Sequence, residues 1–265
     1  MPDDELAADL ALISELAVQA GVIAMGFFGE DPEVWMKEND SPVSQADYAV
    51  DLFLKEKLLA ARPTYGWLSE ETVDDKSRLK AERTFVVDPI DGTRGFLNRQ
   101  KQWCISVAIV CSRRPIAGVL HAPVLGQTLA AHTGLQTTLN DQPVTVREHP
   151  QTLLATGPRP FLRTIDSRYK TRVEALPFVP SLAWRIGLVA MGRLDLAVAR
   201  GSARDWDLAA ADIIVHQAGG ALTDMSGKQL LYNCSSTRHS ALVSSAAGAH
   251  KEMLDLAKDA IDNHD

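Results

Sequence analysis

A buried strand that ends in two carboxylates constrains the fold of this chain more than any other stretch. Residues 84–87 (TFVV) form an apolar run rich in β-branched side chains, and residues 88–93 (DPIDGT) follow it directly. Such a run predicts a strand buried in a sheet, and the residues after it predict a turn. Pro89 stiffens this turn, so the carboxylates of Asp88 and Asp91 can approach one point in space. The same residue types occur in ordinary surface turns, so the motif alone leaves both interpretations open.

The end of this motif suits a bound phosphate. Gly92 allows the backbone to approach a ligand closely, and Thr93 is placed to begin a helix whose free N–H groups would face an anion. Carboxylate oxygens are hard donors that favour Mg²⁺, an ion that commonly bridges carboxylates to substrate phosphates. Together, the acids and the anion pocket indicate a site for a metal ion and a phosphate.

Three more acids lie at the ends of predicted elements. Asp47 lies in the first turn of a helix for which Ser44 is a suitable N-cap. Asp207 also lies in the first turn of a predicted helix, and Glu70 follows a short predicted strand. Taken singly, Asp47 and Asp207 are explained by the helix dipole, which stabilises an acid near the helix N-terminus.

The order of the predicted elements indicates a change of architecture along the chain. Two helices followed by closely linked strands predict an antiparallel sheet and an α+β arrangement in the N-terminal half. From about residue 152 strands and helices alternate, which predicts an α/β arrangement in the C-terminal half. We therefore expect an N-terminal subdomain of residues 1–148, with most metal ligands, and a C-terminal subdomain of residues 149–265, with Asp207 and the residues that select the substrate. The predicted strands of the first half are residues 104–112, 115–122 and 127–132, and the predicted helices of the second half are residues 161–174, 182–191, 206–218 and 247–261.

Charge and composition narrow the range of partners. The chain has 27 basic and 34 acidic residues and a net charge of −7, which argues against a nucleic-acid polymer, because affinity for the phosphate backbone needs an excess of basic residues. Residues 150–210 are locally richer in basic side chains, a balance that fits a small anionic substrate. No uninterrupted apolar run approaches the roughly 20 residues that span a bilayer, so no membrane partner is expected. The first residues are acidic where a signal peptide is basic, which predicts a cytoplasmic protein.

Several short motifs then occur along the chain in one order. They are residues 41–47 (SPVSQAD), 68–71 (LSEE), 88–93 (DPIDGT), 206–207 (WD) and 219–220 (GG). In this order they resemble the inositol monophosphatase family of metal-dependent, lithium-sensitive phosphatases. The resemblance implies a layered α-β-α-β-α sandwich, two or three Mg²⁺ ions, a small phosphorylated metabolite as the substrate and a homodimer as the assembly.

The resemblance also implies a ligand set for the metal ions. Glu70, Asp88 and the carbonyl of Ile90 look like ligands of one Mg²⁺. Asp88, Asp91 and Asp207 look like ligands of a second. Paired ions of this kind hold the attacking and leaving oxygens of an in-line displacement.

The same resemblance assigns residues to the water and the phosphate. Thr93, paired with Asp47 or Glu70, would orient and deprotonate the attacking water. The N–H groups of Gly92 and Thr93 would hold phosphate oxygens. Lys37 would stabilise an outer metal-bound water.

Within the family, some phrases look closer to the bacterial 3′(2′),5′-bisphosphate nucleotidase branch. These phrases are residues 37–43, 115–124 and 188–192. Members of that branch carry a lysine near the position of Arg185, and Arg200 stands where inositol monophosphatases have a glutamate that accepts a sugar hydroxyl. Both arginines could therefore bind a second phosphate, since guanidinium binds phosphate through two parallel hydrogen bonds. The alternative is that both are surface groups.

The substrate therefore has several candidates. Adenosine 3′,5′-bisphosphate, which would yield AMP and phosphate, is the first. Leu182 is bulkier than the residue expected in the turn that contacts the substrate, which keeps inositol 1-phosphate and histidinol phosphate open. From another functional class, the chain could be a regulatory family member that binds a macromolecule, although a buried acid cluster is costly without a metal ion.

Overall fold

The computed structural model describes residues 3–30, 32–36, 42–148, 150–157 and 172–262. Their α-helices are α1 (Asp3–Met25), α2 (Gln45–Ala61), α3 (Thr93–Leu97), α4 (Leu182–Ala190), α5 (Asp205–Gln217) and α6 (His250–Asp262). Their strands are β1 (Val34–Met36), β2 (Pro42–Ser44), β3 (Gly66–Ser69), β4 (Arg83–Asp91), β5 (Cys104–Cys111), β6 (Arg114–Ala122), β7 (Gln127–His132), β8 (Thr138–Leu139), β9 (Gln142–Pro143), β10 (Leu153–Thr156), β11 (Val173–Ala175), β12 (Leu196–Ala199), β13 (Gly220–Asp224) and β14 (Leu242–Ala246).

Helical and sheet layers alternate through the molecule. Helices α1 and α2 pack on one face of a seven-stranded sheet with the strand order β3-β4-β5-β6-β7-β8-β9. Helices α4 and α5 lie between that sheet and a five-stranded sheet with the order β11-β10-β12-β14-β13, whose other face carries α6. This is the expected α-β-α-β-α sandwich, and the fold class is confirmed.

Strands β4 and β5 are buried on both faces, which explains the continuous apolar runs at residues 85–87 and 107–110 within them. Ile105, Val107 and Ile109 pack with α1 and α2, while Ala108 and Val110 point to the opposite core with α4 and α5. Side chains alternate between the two faces of a strand, so each face of the sheet buries its own set. The three strands expected between residues 104 and 132 are present as β5, β6 and β7.

The antiparallel prediction for the N-terminal sheet is wrong at one strand pair. Strands β4 to β9 pair antiparallel, but β3 and β4 run parallel. Residues 70–82 connect them, with a 3₁₀ turn at Ser77–Lys80, and this length allows a crossover that a hairpin turn does not.

The C-terminal half contains a mixed sheet and the expected helices, with one correction. The predicted helix at residues 161–174 falls largely outside the described residues, but its last residues belong to β11, which pairs parallel with β10. The helical prediction is wrong there because Val173 and Glu174 extend the sheet instead. The subdomain boundary near residue 148 stays a prediction.

In helix α1, residues Asp4–Met25 are long and apolar enough to cross a membrane by length and composition alone, with a mean hydropathy of 1.7. Periodicity predicted a helix here, but the membrane expectation considered only uninterrupted apolar runs and did not anticipate that this helix would meet the criterion. Ile13, Ala17 and Ala20 are completely buried in the core that α1 forms with α2 and the seven-stranded sheet. The core helix of a soluble protein and a signal sequence near the N-terminus pass the same test, so the criterion alone is weak evidence for a membrane span.

Candidate metal and active site

The parallel pairing of β3 with β4 brings the first two acids together. Parallel strands end at the same edge of a sheet, and here Ser69 pairs with Val87. The next residues are Glu70 and Asp88, and the Glu70 N–H lies 3.3 Å from the Val87 carbonyl oxygen. The adjacency of these two acids is therefore a property of the sheet topology.

Helix α5 brings Asp207 to the same edge. Ser106, which pairs with Asp88 across the sheet, donates a hydrogen bond of 3.2 Å to the carbonyl of Trp206. The Asp207 carboxylate accepts a 2.7 Å hydrogen bond from the Arg204 N–H at the start of α5. One carboxylate oxygen from each of Glu70, Asp88 and Asp207 lies within 4.8 Å of the others.

Asp91 lies beside this cluster because of an irregularity in β4, although it is not one of the three acids whose oxygens come within 4.8 Å of one another. The pairing of β4 with β5 changes register between Asp88 and Asp91, which lets a short segment deliver two acids to the strand end. Asp91 accepts hydrogen bonds from the Ser181 hydroxyl and, at 2.7 Å, from the Ala183 N–H. Both donors lie at the N-terminus of α4, where a negative charge is stabilised.

Asp47 and Thr93, which the sequence analysis paired, are in contact. The Ser44 N–H and hydroxyl donate to one oxygen of Asp47, at 2.8 and 2.6 Å. The Thr93 hydroxyl lies 3.2 Å from the other oxygen and 3.1 Å from the Ile90 carbonyl oxygen. Because Ser44 occupies one Asp47 oxygen, the second is directed to Thr93.

These residues line a cleft of about 320 Å³. Gly92 lies at its edge with a positive φ of 95°, and a side chain there would meet Ser181 at 3.1 Å. The cleft is lined by Pro42, Glu70, Asp88, Ile90, Asp91, Gly92, Thr93, Arg94, Phe178, Pro180 and Asp207. Arg94 and Phe178 were not among the residues predicted for the site. The position of Arg94 directly after Thr93 was a usable signal, whereas no sequence pattern marks Phe178.

Burial raises the pKa values of four aspartates at this site, and repulsion between neighbouring acids adds to the effect. Burial, followed by the charges of neighbouring acids, raises the pKa of Asp88 and of Asp207 well above its usual value. Burial also raises the pKa of Asp91 to about 6, although hydrogen bonds from Ser181 and Ala183 oppose the shift. For Asp47, burial raises the pKa to about 6 against the Ser44 hydrogen bonds.

The donor set fits a hard divalent cation. All side-chain donors are carboxylate oxygens, and soft sulfur or imidazole ligands are missing from the described cluster of Glu70, Asp88 and Asp207. Oxygen-only sites favour Mg²⁺ or a similar ion over zinc or copper. A bound cation would also offset the repulsion that raises the pKa values of Asp88 and Asp207.

The predicted basic residues lie in different surroundings. Arg185 is buried, donates to the carbonyls of Val179 and Val198, and its guanidinium carbon lies 4.5 Å from the ring centre of Phe178. Burial lowers the pKa of Arg185 to about 10. Arg200 is exposed at the end of β12. Neither arginine lines the cleft, and their contact with a substrate stays a prediction. Lys37 lies outside the described residues.

Comparison with known proteins gives one consistent result. The model of the inositol monophosphatase family matches residues 6–261. A 3′(2′),5′-bisphosphate nucleotidase CysQ from Aggregatibacter actinomycetemcomitans is 31% identical over 235 residues, 83% of this chain and 86% of the relative. A histidinol-phosphatase from Chlorobaculum parvum is 30% identical over 231 residues, 83% and 87% of the two chains. The structure of the Thermotoga maritima IMPase is similar, with a TM-score of 0.85, 27% identity and coverage of 97% and 99%.

Proposed function

The chain belongs to the inositol monophosphatase family and is a phosphoric monoester hydrolase, and on that premise we propose that it is a Mg²⁺-dependent 3′(2′),5′-bisphosphate nucleotidase. The proposed reaction converts adenosine 3′,5′-bisphosphate and water to AMP and phosphate. The observation that best supports a phosphatase is the acid cluster of Glu70, Asp88 and Asp207 beside the Asp47–Thr93 pair.

We propose the ligand assignments that the family resemblance implies. Glu70, Asp88 and the Ile90 carbonyl would hold one Mg²⁺, and Asp88, Asp91 and Asp207 would hold a second. Bound Mg²⁺ would stabilise the charge that develops on phosphate oxygens and lower the pKa of a coordinated water. A third ion, the expected role of Lys37 in stabilising an outer metal-bound water, and inhibition by Li⁺ rest on the family resemblance alone.

The Asp47–Thr93 pair supplies a route for the proton of the attacking water. If the Thr93 hydroxyl donates to Asp47, its lone pairs are free to accept a proton from water. Asp47 can then accept the Thr93 proton, because its pKa of about 6 lies near neutrality, where a general base is effective. The N–H groups of Gly92 and Thr93 are proposed to hold the phosphate during this step.

The rim of the cleft supports a nucleotide over inositol phosphate. Phe178 is 53% exposed although it lines a cleft of acids, and the guanidinium of Arg185 is positioned against its ring. A half-exposed ring of this kind offers a surface on which a purine can stack, at roughly 1–3 kcal/mol for a base on an aromatic side chain. Arg94 adds an exposed cation to the same cleft and is, with Arg200, a candidate for the second phosphate.

A comparison of three substrates tests this proposal. Phosphate release with Mg²⁺ should show the highest kcat/KM for adenosine 3′,5′-bisphosphate, above inositol 1-phosphate and histidinol phosphate. The histidinol-phosphatase relative at 30% identity makes histidinol phosphate the second candidate. A higher kcat/KM on either monophosphate would overturn the nucleotidase assignment but keep the phosphatase, and no turnover of any of the three would favour the macromolecule-binding alternative.

Charge-neutralising variants separate substrate selection from general damage. Arg94→Gln and Arg200→Gln should each lower kcat/KM for the bisphosphate about ten- to a hundredfold, the loss of one charge-assisted contact. The same variants should leave inositol 1-phosphate turnover nearly unchanged, because that substrate has no second phosphate. Equal losses on both substrates would assign these arginines to the fold or to the common phosphate.

A further inference from the structure

A second buried acid on α2 lies one helical turn after Asp47. Asp51 is 7% exposed and does not line the cleft or belong to the cluster of Glu70, Asp88 and Asp207. Residues four apart on a helix share a face, so Asp51 faces the same end of β3 as Asp47. Burial of a carboxylate costs free energy unless hydrogen bonds satisfy its oxygens. The hydrogen-bond partners of Asp51 therefore indicate which part of the structure it stabilises.

The partners of Asp51 flank Glu70. The Ser69 hydroxyl donates to one oxygen of Asp51, and the Thr72 hydroxyl donates to the other at 2.8 Å. Ser69 immediately precedes Glu70, and Thr72 follows two residues later. The Asp51 carboxylate therefore accepts hydrogen bonds from both ends of the short turn that places Glu70 in the acid cluster.

The direction of these hydrogen bonds is determined by the other partners of the two hydroxyls. The Glu71 N–H donates to the Ser69 hydroxyl at 3.3 Å, and the Trp67 indole N–H donates to the Thr72 hydroxyl at 3.2 Å. Backbone and indole N–H groups can only donate, so each hydroxyl accepts from them and directs its own proton to Asp51. Both oxygens of Asp51 must therefore accept a hydrogen bond. A carboxylate offers two acceptor oxygens, whereas an amide offers only one.

The turn needs such support because it leaves the sheet at the surface. Glu70, Glu71 and Thr72 are half-buried, and Val73 is 93% exposed. The hydrogen bond from the Glu70 N–H to Val87 fixes the backbone on the side of the strand. Asp51 fixes the side that faces α2, and through α2 it connects this turn to Asp47.

We propose that Asp51 is a positioning residue that orients Glu70 and thereby sets the affinity of the site for its metal ion. This inference rests on the proposed metal site. Groups that hold metal ligands in place change metal affinity or activity about ten- to a hundredfold when they are replaced. Asp51 acts through Ser69 and Thr72 and contacts no ligand atom itself.

The test compares Asp51→Asn with the wild type by titrating the metal-free protein with Mg²⁺ in a calorimeter. The dissociation constant should rise about ten- to a hundredfold, because the asparagine amide cannot accept from both hydroxyls. The Mg²⁺ concentration for half-maximal phosphate release should rise in parallel. The KM for the phosphorylated substrate at saturating Mg²⁺ should change little.

A matched control separates positioning from loss of stability. Asp9 on α1 is also a buried acid, and it contacts Arg62, Tyr65 and Arg83 away from the cleft. Asp9→Asn should therefore lower the urea midpoint without changing the dissociation constant for Mg²⁺. If Asp51→Asn behaves in the same way as Asp9→Asn, Asp51 is structural only and the inference is overturned.

A second variant keeps the inference testable if Asp51→Asn does not fold. Thr72→Val removes one partner of Asp51 at a half-buried position and should weaken Mg²⁺ binding in the same direction. An unchanged affinity in Thr72→Val would count against the inference. Wild-type protein that binds no Mg²⁺ would overturn the proposed function and this inference together, whereas normal wild-type binding with an unaffected Asp51→Asn overturns the inference alone.

Discussion

At the scale of single residues, the candidate chemistry depends on carboxylates that burial turns into weak acids. The pKa of Asp47 is raised to about 6 mainly by burial, and the two hydrogen bonds from Ser44 keep it from rising further. The same Ser44 bonds orient the side chain, so its remaining oxygen meets the Thr93 hydroxyl. One buried acid thus serves as a helix cap and as the proposed acceptor of a proton.

The proposed proton route predicts a specific kinetic effect of Thr93→Ala. Removing the hydroxyl should lower kcat by roughly 10²-fold or more, the contribution of a general base, and should change KM much less. Steady-state kinetics at saturating Mg²⁺ would measure this. A normal kcat with a raised KM would instead assign Thr93 to phosphate binding.

The acid cluster predicts opposite effects of Asp88→Asn on activity and on metal-free stability. Asp88 is repelled by Glu70, Asp91 and Asp207, so the neutral amide should leave the metal-free protein at least as stable as the wild type at neutral pH. Mg²⁺-dependent turnover should be abolished. Urea unfolding in the presence of a chelator, together with a turnover assay, would measure both quantities. Full activity in excess chelator in the wild type would contradict the assumption of a metal-dependent reaction.

At the scale of elements, the site is built where several elements end at one edge of the seven-stranded sheet. The parallel β3–β4 pair places Glu70 beside Asp88, the register change in β4 adds Asp91, and the start of α5 adds Asp207. Helix α5 packs directly on β6, where Gly118 lies against its backbone. The position of Asp207 therefore depends on how closely α5 approaches the sheet.

This close approach predicts that Gly118→Ala will damage both stability and activity. A Cβ atom there would lie 2.6 Å from the Ile213 side chain and 2.9 Å from the Ala210 backbone, so α5 would have to move. We expect a loss of about 1–3 kcal/mol in the free energy of unfolding, as for other overpacked cores, and lower turnover through the displacement of α5.

The matched control for this variant is Gly248→Ala, because no atom lies within 4 Å of a Cβ built at Gly248. Its free energy of unfolding should stay within about 0.5 kcal/mol of the wild type. Urea titrations of the three proteins would make the comparison. Equal losses in the free energy of unfolding for the two variants would show that the contact of Gly118 with α5 does not cause the destabilisation.

At the scale of the whole molecule, the layers bury an acid cluster that opposes folding when no cation compensates it. The sheet carries α1 and α2 on one face and α4 and α5 on the other, and Asp88 and Asp91 at the end of β4 are buried between these layers. Stability of the metal-free protein should therefore depend on pH and on divalent ions. The homodimer and the cytoplasmic location remain predictions.

The sign of this pH dependence follows from Asp47. Its pKa is about 6 in the folded chain against an ordinary value of 3.8, so the folded state binds more protons between these values. The contribution of Asp47 to the free energy of unfolding is fully present below pH 4 and is lost as the pH rises to about 6. The free energy of unfolding falls by up to about 1.4 kcal/mol per pH unit in this range because of this one group. Urea midpoints in chelator should fall across this range, and Mg²⁺ should reverse the loss above pH 6. A rise of the midpoint across the same range that disappears in Asp47→Asn would contradict the assignment.

The sequence by itself determined the elements and the kinds of residue that the site uses. Periodicity indicated β5, β6, β7 and the helices α1, α2, α4 and α5, because one or both faces of each are apolar. The motif at residues 88–93 indicated a site for a metal ion and a phosphate, and the family resemblance of the ordered motifs added Glu70 and Asp207 as expected ligands. Local chemistry also indicated the Ser44 cap.

Only the tertiary structure decided which of these residues meet and what surrounds them. The parallel β3–β4 pairing, the contact of Asp47 with Thr93, and the hydrogen bonds of Asp51 to Ser69 and Thr72 all join residues distant in sequence. Patterns along a chain report the face on which a residue lies, not its partner across space. Sheet order and helix packing set those partners, and they turn separate acids into one cluster.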